Sequence, residues 1–364
     1  MPQAFANRMR CLRAALRRAG AQALLVSHRP NIYYLTGFTG DNAMLLVSAS
    51  GRPILLTDPR FNTQAAEECR ASHARVIISR KPLPEVAGEH LAKLPRGATT
   101  LFEEDKLSVA QLRGARTPAR CGCSWKPVQG LVETLREVKD PDEISRMREA
   151  ARVGSDVMEH AIKTARAGIA ETDLAAEIEY QMRKRGAEGP SFETIVASGP
   201  RAALPHGRAS SKRLKEKDLV VLDLGVILRS YCSDLTRTIH VGRASPEVRR
   251  WYQAVQDAQT AAREAVKAGV KAGQVDEAAR TVLRRQGLER YFIHSTGHGL
   301  GLEVHERPGL RRDQKAALKA GSIVTIEPGV YFPGRGGIRI EDDVLVLDGG
   351  SETLTTPPRE LIEV

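Results

Sequence analysis

Between Lys217 and Val241 the chain reads KDLVVLDLGVILRSYCSDLTRTIHV, two strand-like runs that each contain an aspartate. Side chains alternate along a strand, so Asp223 shares a face with Leu219 and Val221. Asp234 shares one with Thr236, Thr238 and His240. A carboxylate enclosed by apolar neighbours is costly unless something positive compensates it. One such residue is an ordinary paired core aspartate. Two on one predicted hairpin ask for a cation.

A second hairpin follows about a hundred residues later. Ser322–Phe332 and Gly337–Leu347 are again strand-like, joined by Pro333, Gly334 and Gly336, and they carry Glu327 and Glu341. The interval from Asp223 to Glu327 nearly equals that from Asp234 to Glu341, the trace that a duplicated unit leaves. Helices precede each hairpin in the same order. The first begins at Asp140 with Pro141 and Glu143, a capping pattern, and runs to about Arg166 before Gly168. A helix capped by Thr172 ends at Gly186. The second set runs from Ser245 to about Lys267 and from about Gln274 to Gln286, stopped by Gly287. Helix, helix, hairpin thus occurs twice, and we expect two similar halves whose four carboxylates meet in the cleft between them.

At 364 residues the chain is expected to hold two domains, residues 1–131 and 132–364. The first alternates helix and strand signals, as an α/β layer with a mixed sheet does: a helix at Ala4–Arg18, strands at Ala23–Ser27, Ala43–Val47, Ile54–Thr57, Arg75–Ile78 and Thr99–Phe102, helices near Phe61–Cys69 and Leu83–Leu94. It holds no phosphate loop, metal pattern or nucleophile motif. The segment Asn31–Gly40 reads as a turn-rich connection, packed or overhanging a site. The whole is an α+β chain. No apolar run is long enough to span a membrane. The five cysteines are irregularly spaced, and Cys121-Gly-Cys123 lacks zinc-knuckle spacing, which points to a reducing, cytoplasmic setting. Cys232 reads as a buried thiol rather than a ligand. The net charge of +11 is spread over predicted helix faces, and aromatics make up 4%, so a solvated basic surface is favoured over nucleic-acid binding.

Four convergent carboxylates carry a charge near −4 and repel strongly in a low-dielectric site. Two divalent cations neutralise them. Oxygen donors with one imidazole suit Mn, Co, Fe or Zn in a catalytic rather than a closed structural site, and paired metals support hydrolysis. The imidazole is sought in Ile293–His305, where His294, His298 and His305 crowd together and glycines flank His298. His206, in Leu204-Pro-His-Gly207, alone reads as a loop histidine. Arg339 shares a face with Glu341 and is expected to grip a carboxylate in the cleft. Asp343 is expected to support Arg339, while Asp342 points away.

Taken together, Leu222-Asp223-Leu-Gly, Ser233-Asp234-Leu-Thr-Arg-Thr, Ser295-Thr-Gly-His298-Gly-Leu-Gly, Ile326-Glu327-Pro-Gly and Arg339-Ile-Glu341-Asp-Asp resemble the creatinase/methionine aminopeptidase ("pita-bread") family. The nearest branch is that of the proline peptidases, aminopeptidase P and prolidase. Tyr34-Leu-Thr-Gly-Phe-Thr-Gly and Leu56-Thr-Asp-Pro-Arg-Phe resemble the creatinase-type N-terminal domain, so the likeness covers nearly the whole chain. It implies that Asp223, Asp234, His298, Glu327 and Glu341 hold two metal ions, manganese before cobalt, zinc or iron, with Asp234 and Glu341 bridging. Glu327 would also receive a proton from water. His206 would contact substrate and steady the tetrahedral intermediate, His305 would hydrogen-bond the scissile carbonyl or pass a proton, and His294 and Arg339 would line the proline pocket. One departure is Arg201, where many members carry Asn.

Creatinase works without metal and does not keep the full set. Methionine aminopeptidases usually lack the N-terminal domain. Members that only bind protein or nucleic acid typically lose ligands. The expected activity is therefore a dinuclear Xaa-Pro aminopeptidase acting on peptides with proline second, with a prolidase restricted to dipeptides as the alternative. The resemblance also implies a homodimer.

Overall fold

The computed structural model describes residues 2–118 and 122–364, so Cys121 lies outside the described residues. The chain divides into two compact units, one ending at Arg136 and one spanning Glu137–Val364.

In the first unit, α1 (Pro2–Arg18) forms because Phe5, Met9, Leu12 and Leu16 recur at helical spacing, and all four are buried. Then follow β1 (Ala23–Val26), α2 (Arg29–Thr36), β2 (Ala43–Ser48), β3 (Ile54–Thr57), α3 (Asn62–Glu68), β4 (Arg75–Ile78), α4 (Leu83–Leu91), β5 (Thr99–Glu103), α5 (Val109–Arg116), β6 (Ser124–Val128) and α6 (Glu133–Arg136). Among the described residues these strands make one mixed sheet in the order β4-β3-β2-β1-β5-β6. The all-apolar β1 sits inside it and is buried along its length, as such a run requires. The expected turn-rich connection at Asn31–Gly40 is instead mostly the helix α2, started by Pro30 and ended at Gly37 with φ 82°. Its Asn31 is buried and donates to Glu103 and Glu133 while accepting from Arg136. Polar partners at long range overrode the local turn signals.

The second unit opens with α7 (Pro141–Thr164), where Asp140 and Glu143 form the anticipated reciprocal cap. α8 (Glu171–Lys184) starts two residues earlier than expected: Ala170 is its cap, and Thr172 lies inside the helix. After β7 (Gly189–Pro190) and β8 (Ile195–Ser198) comes a long bent hairpin. Its base is β9 (Leu219–Leu224) against β12 (Leu235–His240), and its arm is β10 (Val226–Leu228) against β11 (Tyr231–Cys232). α9 (Pro246–Ala265) and α10 (Ala272–Arg285) lead to β13 (Gly297–Gly299) and β14 (Glu306–Leu310). The second bent hairpin pairs β15 (Ile323–Ile326) with β18 (Asp342–Val346), and β16 (Gly329–Phe332) with β17 (Gly336–Arg339). The edge strands β19 (Ser351–Thr353) and β20 (Ile362–Glu363) finish the chain.

The duplication extends to small detail. Gly168 donates to Leu214 and Gly269 to Leu318, while Ala170 bridges Arg213 and Lys271 bridges Ala317. Val220, Leu222 and Leu224 pack with α7 and α8 in one core. Leu219 and Val221, on the opposite face of β9, pack with α9, α10 and the second hairpin in another. Asp223 belongs to the latter face by alternation, so it points towards the other half. Each fully buried Val or Leu contributes about 1.5–3 kcal/mol, enough to hold the two faces in register. Among the described residues no helix is long and apolar enough to cross a membrane.

Candidate active site

The acids sit where the two hairpins bend. Asp223 is near the end of β9, opposite Thr236. Asp234 immediately precedes β12, and its amide donates to Asp343 Oδ2 at 3.1 Å. Glu327 immediately follows β15, with its amide on the Thr296 carbonyl at 2.8 Å. Glu341 occupies the break between β17 and β18; its amide donates to the Thr236 carbonyl at 3.1 Å and its carboxylate accepts the Thr236 hydroxyl at 2.6 Å. Thr236 thus ties the hairpins together. Arg237, next to it, is fully buried and points the other way, into Asp342, Pro357 and Pro358.

These acids line a cavity of about 340 Å³ together with His206, His294, His298, His305 and Arg339. All nine site residues expected from sequence therefore share one pocket. Three of them are tightest: single ligand atoms of Asp234, His298 and Glu341 all lie within 4.8 Å of one another. His298 Nε2 is 3.7 Å from Asp234 Oδ2 and 3.5 Å from Glu327 Oε1. The Gly299 carbonyl, 3.1 Å from His298 Nδ1, can only accept, so Nδ1 carries the hydrogen and Nε2 faces the acids with a free lone pair. Gly297 and Gly299 permit this approach: a Cβ on Gly297 would lie 1.9 Å from the Thr325 carbonyl oxygen, and one on Gly299 would lie 2.1 Å from that of Arg307.

Arg339 is not held by Asp343, as expected, but clasps Asp223 Oδ2 at 2.5 Å. Its remaining bonds go to Thr236 Oγ1, Tyr331 Oη and the Pro205 carbonyl. Asp343 is turned instead to the Asp234 amide, because the break at Ile340–Glu341 separates β17 from β18 and ends the simple alternation. Tyr331 was not anticipated. It accepts from Arg339 at 2.8 Å and lies 2.9 Å from His294 Nε2, whose Nδ1 donates to the Ser295 carbonyl. The relay is thus Arg339 to Tyr331 to neutral His294. Alternation along β16 was the available signal, since Val330 and Phe332 enter the core and Tyr331 must face the other way. Phe192, Ile195 and Val304 add an apolar wall, also missed, whereas His206 and His305 stand exposed at the mouth.

Electrostatics favours a cation here. Burial, with Glu341 and Asp223 as neighbours, raises the Asp234 carboxyl far above its usual range. Burial next to Glu327 and Asp223 does the same to Glu341. Glu327 is pushed up to about 7 by burial, against the pull of Arg339. His298 falls to about 4, chiefly through burial, and so remains neutral at physiological pH. Asp223 Oδ1 is buried and accepts no hydrogen bond. Ordinary acids held this way need positive charge, and a donor set of carboxylates plus one neutral imidazole fits divalent Mn, Co, Fe or Zn. Cys232 is buried and its thiol is raised by burial and nearby acids, so it offers no thiolate.

Residues 145–348 match metallopeptidase family M24 and residues 8–138 match the creatinase/prolidase N-terminal domain. The chain belongs to metallopeptidase family M24. Among its M24 relatives is the Xaa-Pro dipeptidase of Pyrococcus furiosus, 37% identical over 332 residues, which span 91% of this chain and 92% of the relative. The solved Xaa-Pro dipeptidase of Bacillus anthracis is 36% identical, with a TM-score of 0.94 over 99% of this chain and 100% of that one. The X-Pro aminopeptidase of Thermotoga maritima is also 36% identical, with a TM-score of 0.88 over 96% and 100%. The fold is that of an M24 catalytic domain with a creatinase-type N-terminal domain, and membership implies divalent metal.

Proposed function

We propose that the chain is a prolidase, a two-metal hydrolase that cleaves Xaa-Pro dipeptides. The observation that carries this reading is the meeting, in one cavity, of the Asp234–His298–Glu341 cluster with the Arg339–Tyr331–His294 corner. Dipeptidases among the relatives support the narrower substrate over the aminopeptidase expected from sequence. So does a cavity of about 340 Å³, at the small end for ligand pockets.

Asp223, Asp234, His298, Glu327 and Glu341 would hold the metals. Bound there, the metal pair supplies a nucleophilic water and polarises the carbonyl. Glu327 takes the proton of the attacking water at a carboxylate oxygen and passes it to the proline nitrogen. His206 and His305, at the mouth, donate to the carbonyl oxygen as it gains charge. His294 stays neutral, its pKa lowered to about 4 mainly by burial, and with Arg339 it lines the wall where the proline ring rests. We assign manganese as the resident metal from the resemblance, with Co, Zn and Fe served by the same donors. A homodimer also rests on the resemblance, and a reducing cytoplasmic setting on the free Cys11, Cys69 and Cys232.

The aminopeptidase reading keeps a specific observation in its favour, the likeness to the Thermotoga maritima enzyme. One assay separates the two: release of the first amino acid from Xaa-Pro and from Xaa-Pro-Xaa peptides, in Mn, Co, Zn and Fe. Dipeptide cleavage with little tripeptide cleavage is expected. Equal or faster tripeptide cleavage makes it an aminopeptidase, and full activity after exhaustive chelation ends the metal mechanism.

A further inference from the structure

Two further acids lie outside the cavity and are fully buried: Glu171, the first residue of α8, and Asp276, one turn into α10. Each grips the histidine-bearing loop of its own half. Glu171 Oε1 accepts from the Ser198 amide at 2.8 Å and the Ser198 hydroxyl at 2.7 Å. Its Oε2 accepts from Arg201 Nε at 3.0 Å, the Ser210 amide at 3.1 Å and the Ser210 hydroxyl at 2.6 Å. The loop from Ser198 to Ser210 is therefore tied at both ends to one carboxylate. His206 is near its tip, and the carbonyl of Pro205 accepts from Arg339.

Asp276 does the corresponding work from a different register. Its Oδ1 accepts from the Thr296 amide and hydroxyl, both at 3.0 Å, and its Oδ2 accepts from Arg280 Nε at 2.7 Å. Arg280 in turn donates to the carbonyls of Phe292 at 3.2 Å and His294 at 2.6 Å. Thr296 closes the connection, because its carbonyl receives the Glu327 amide. In the first half the guanidinium is on the loop, at Arg201; in the second it is on the helix, at Arg280. The Arg201 that departs from the usual Asn thus serves as an internal strut rather than a free substrate contact.

Charge-assisted bonds of this kind are short and strong; the acceptor capacity of Glu171 is largely used by its loop, and that of Asp276 by Thr296 of its loop and by Arg280, which itself donates to two loop carbonyls. Such a carboxylate does more than fill the core. We propose that Glu171 and Asp276 are positioning residues that hold the histidine loops in their reactive geometry, Glu171 for His206 and Asp276 for His294, His298 and Glu327. The roles of those histidines rest on the prolidase reading above.

The test compares Glu171→Ala, Glu171→Gln, Asp276→Ala and Asp276→Asn in the full-length, manganese-loaded chain. Hydrogen exchange by mass spectrometry, steady-state kinetics on an Xaa-Pro dipeptide and calorimetric manganese titration are the readouts. Glu171→Ala should speed exchange across residues 199–207 but not 292–296, and lower kcat/KM by about 10²-fold. Its manganese affinity should hold, because none of the five metal-ligand residues lies on that loop. Asp276→Ala should speed exchange across 292–296 only, and weaken manganese binding by at least about 10-fold. The amide variants keep an acceptor oxygen and should recover roughly half of each loss on a logarithmic scale. They carry the same comparison where an alanine variant does not fold. Uniformly faster exchange throughout Glu137–Val364, or a kcat/KM loss below about 10-fold in Glu171→Ala, overturns the proposal. A wild-type chain inactive on dipeptides removes the prolidase reading instead, and the exchange and manganese measurements still decide whether the two acids anchor their loops.

Discussion

Arg237 is the buried cation whose loss should cost the second unit most. Its guanidinium bonds to Asp342 Oδ1 at 2.8 Å and to the carbonyls of Thr236, Glu341, Pro357 and Pro358. Asp342 is fully buried, so Arg237→Met, which keeps the apolar stem, leaves a charge short of its main countercharge and several carbonyls short of a donor. Breaking a buried pair this way costs about 3–5 kcal/mol. Asp342 keeps Gln259, Thr355 and Arg359, which favours the lower figure, about 3 kcal/mol. For a unit of this size each kcal/mol moves Tm by roughly 2–4 °C, so a fall of about 6–12 °C is expected. Scanning calorimetry at one fixed manganese concentration measures it, since bound metal also raises Tm. Adding Asp342→Asn removes the stranded charge and should restore part of the loss. A fall under about 2 °C, or a double variant no more stable than Arg237→Met, would refute the electrostatic account.

Other consequences follow from the same geometry. Tyr331→Phe removes one hydrogen-bond partner each from Arg339 and His294, which should weaken Xaa-Pro binding by about 1–3 kcal/mol and raise KM roughly 5–150-fold; an unchanged KM would show that the hydroxyl does not organise the proline wall. Gly297→Ala places a methyl 1.9 Å from the Thr325 carbonyl oxygen, so β13 must move off β15 and carry His298 with it. Manganese titration should then show at least about 10-fold weaker binding, and wild-type affinity would contradict this. Alkylation of the native chain at mildly alkaline pH should modify the exposed Cys11 well before Cys69, whose thiol burial pushes up to about 11, and before Cys232. Peptide mass spectrometry reads the order, and early labelling of Cys69 would contradict its burial.

Much of the site was legible because strand alternation and residue chemistry are local. A carboxylate in the middle of Leu-Val-Val-Leu-Asp-Leu needs a reason wherever the chain goes, and glycines on both sides of His298 advertise close packing. The helix caps at Asp140 and Ser245 were equally plain. Readings that assumed an unbroken strand, or took turn residues at face value, went astray. Arg339 and Asp343 are four residues apart, but a break in the hairpin sends them to different partners. Asn31–Gly40 is full of turn formers, yet α2 forms because Asn31 finds three side-chain partners far along the chain. Glu171 drew no attention in the sequence, and its five loop bonds become visible only when residues 198 and 210 fold back on it.

The sequence by itself offered the candidate donors: four acids on two repeated hairpins, with a glycine-flanked imidazole and a guanidinium in the second half, which is enough for the class of chemistry. The tertiary structure decided the pairing. Arg339 clasps Asp223, Tyr331 links that arginine to His294, and Thr236 bonds Glu341 across the halves. Those contacts depend on where two hairpins bend and on how one half meets the other, and such long-range distances have no counterpart in the spacing of residues along the chain.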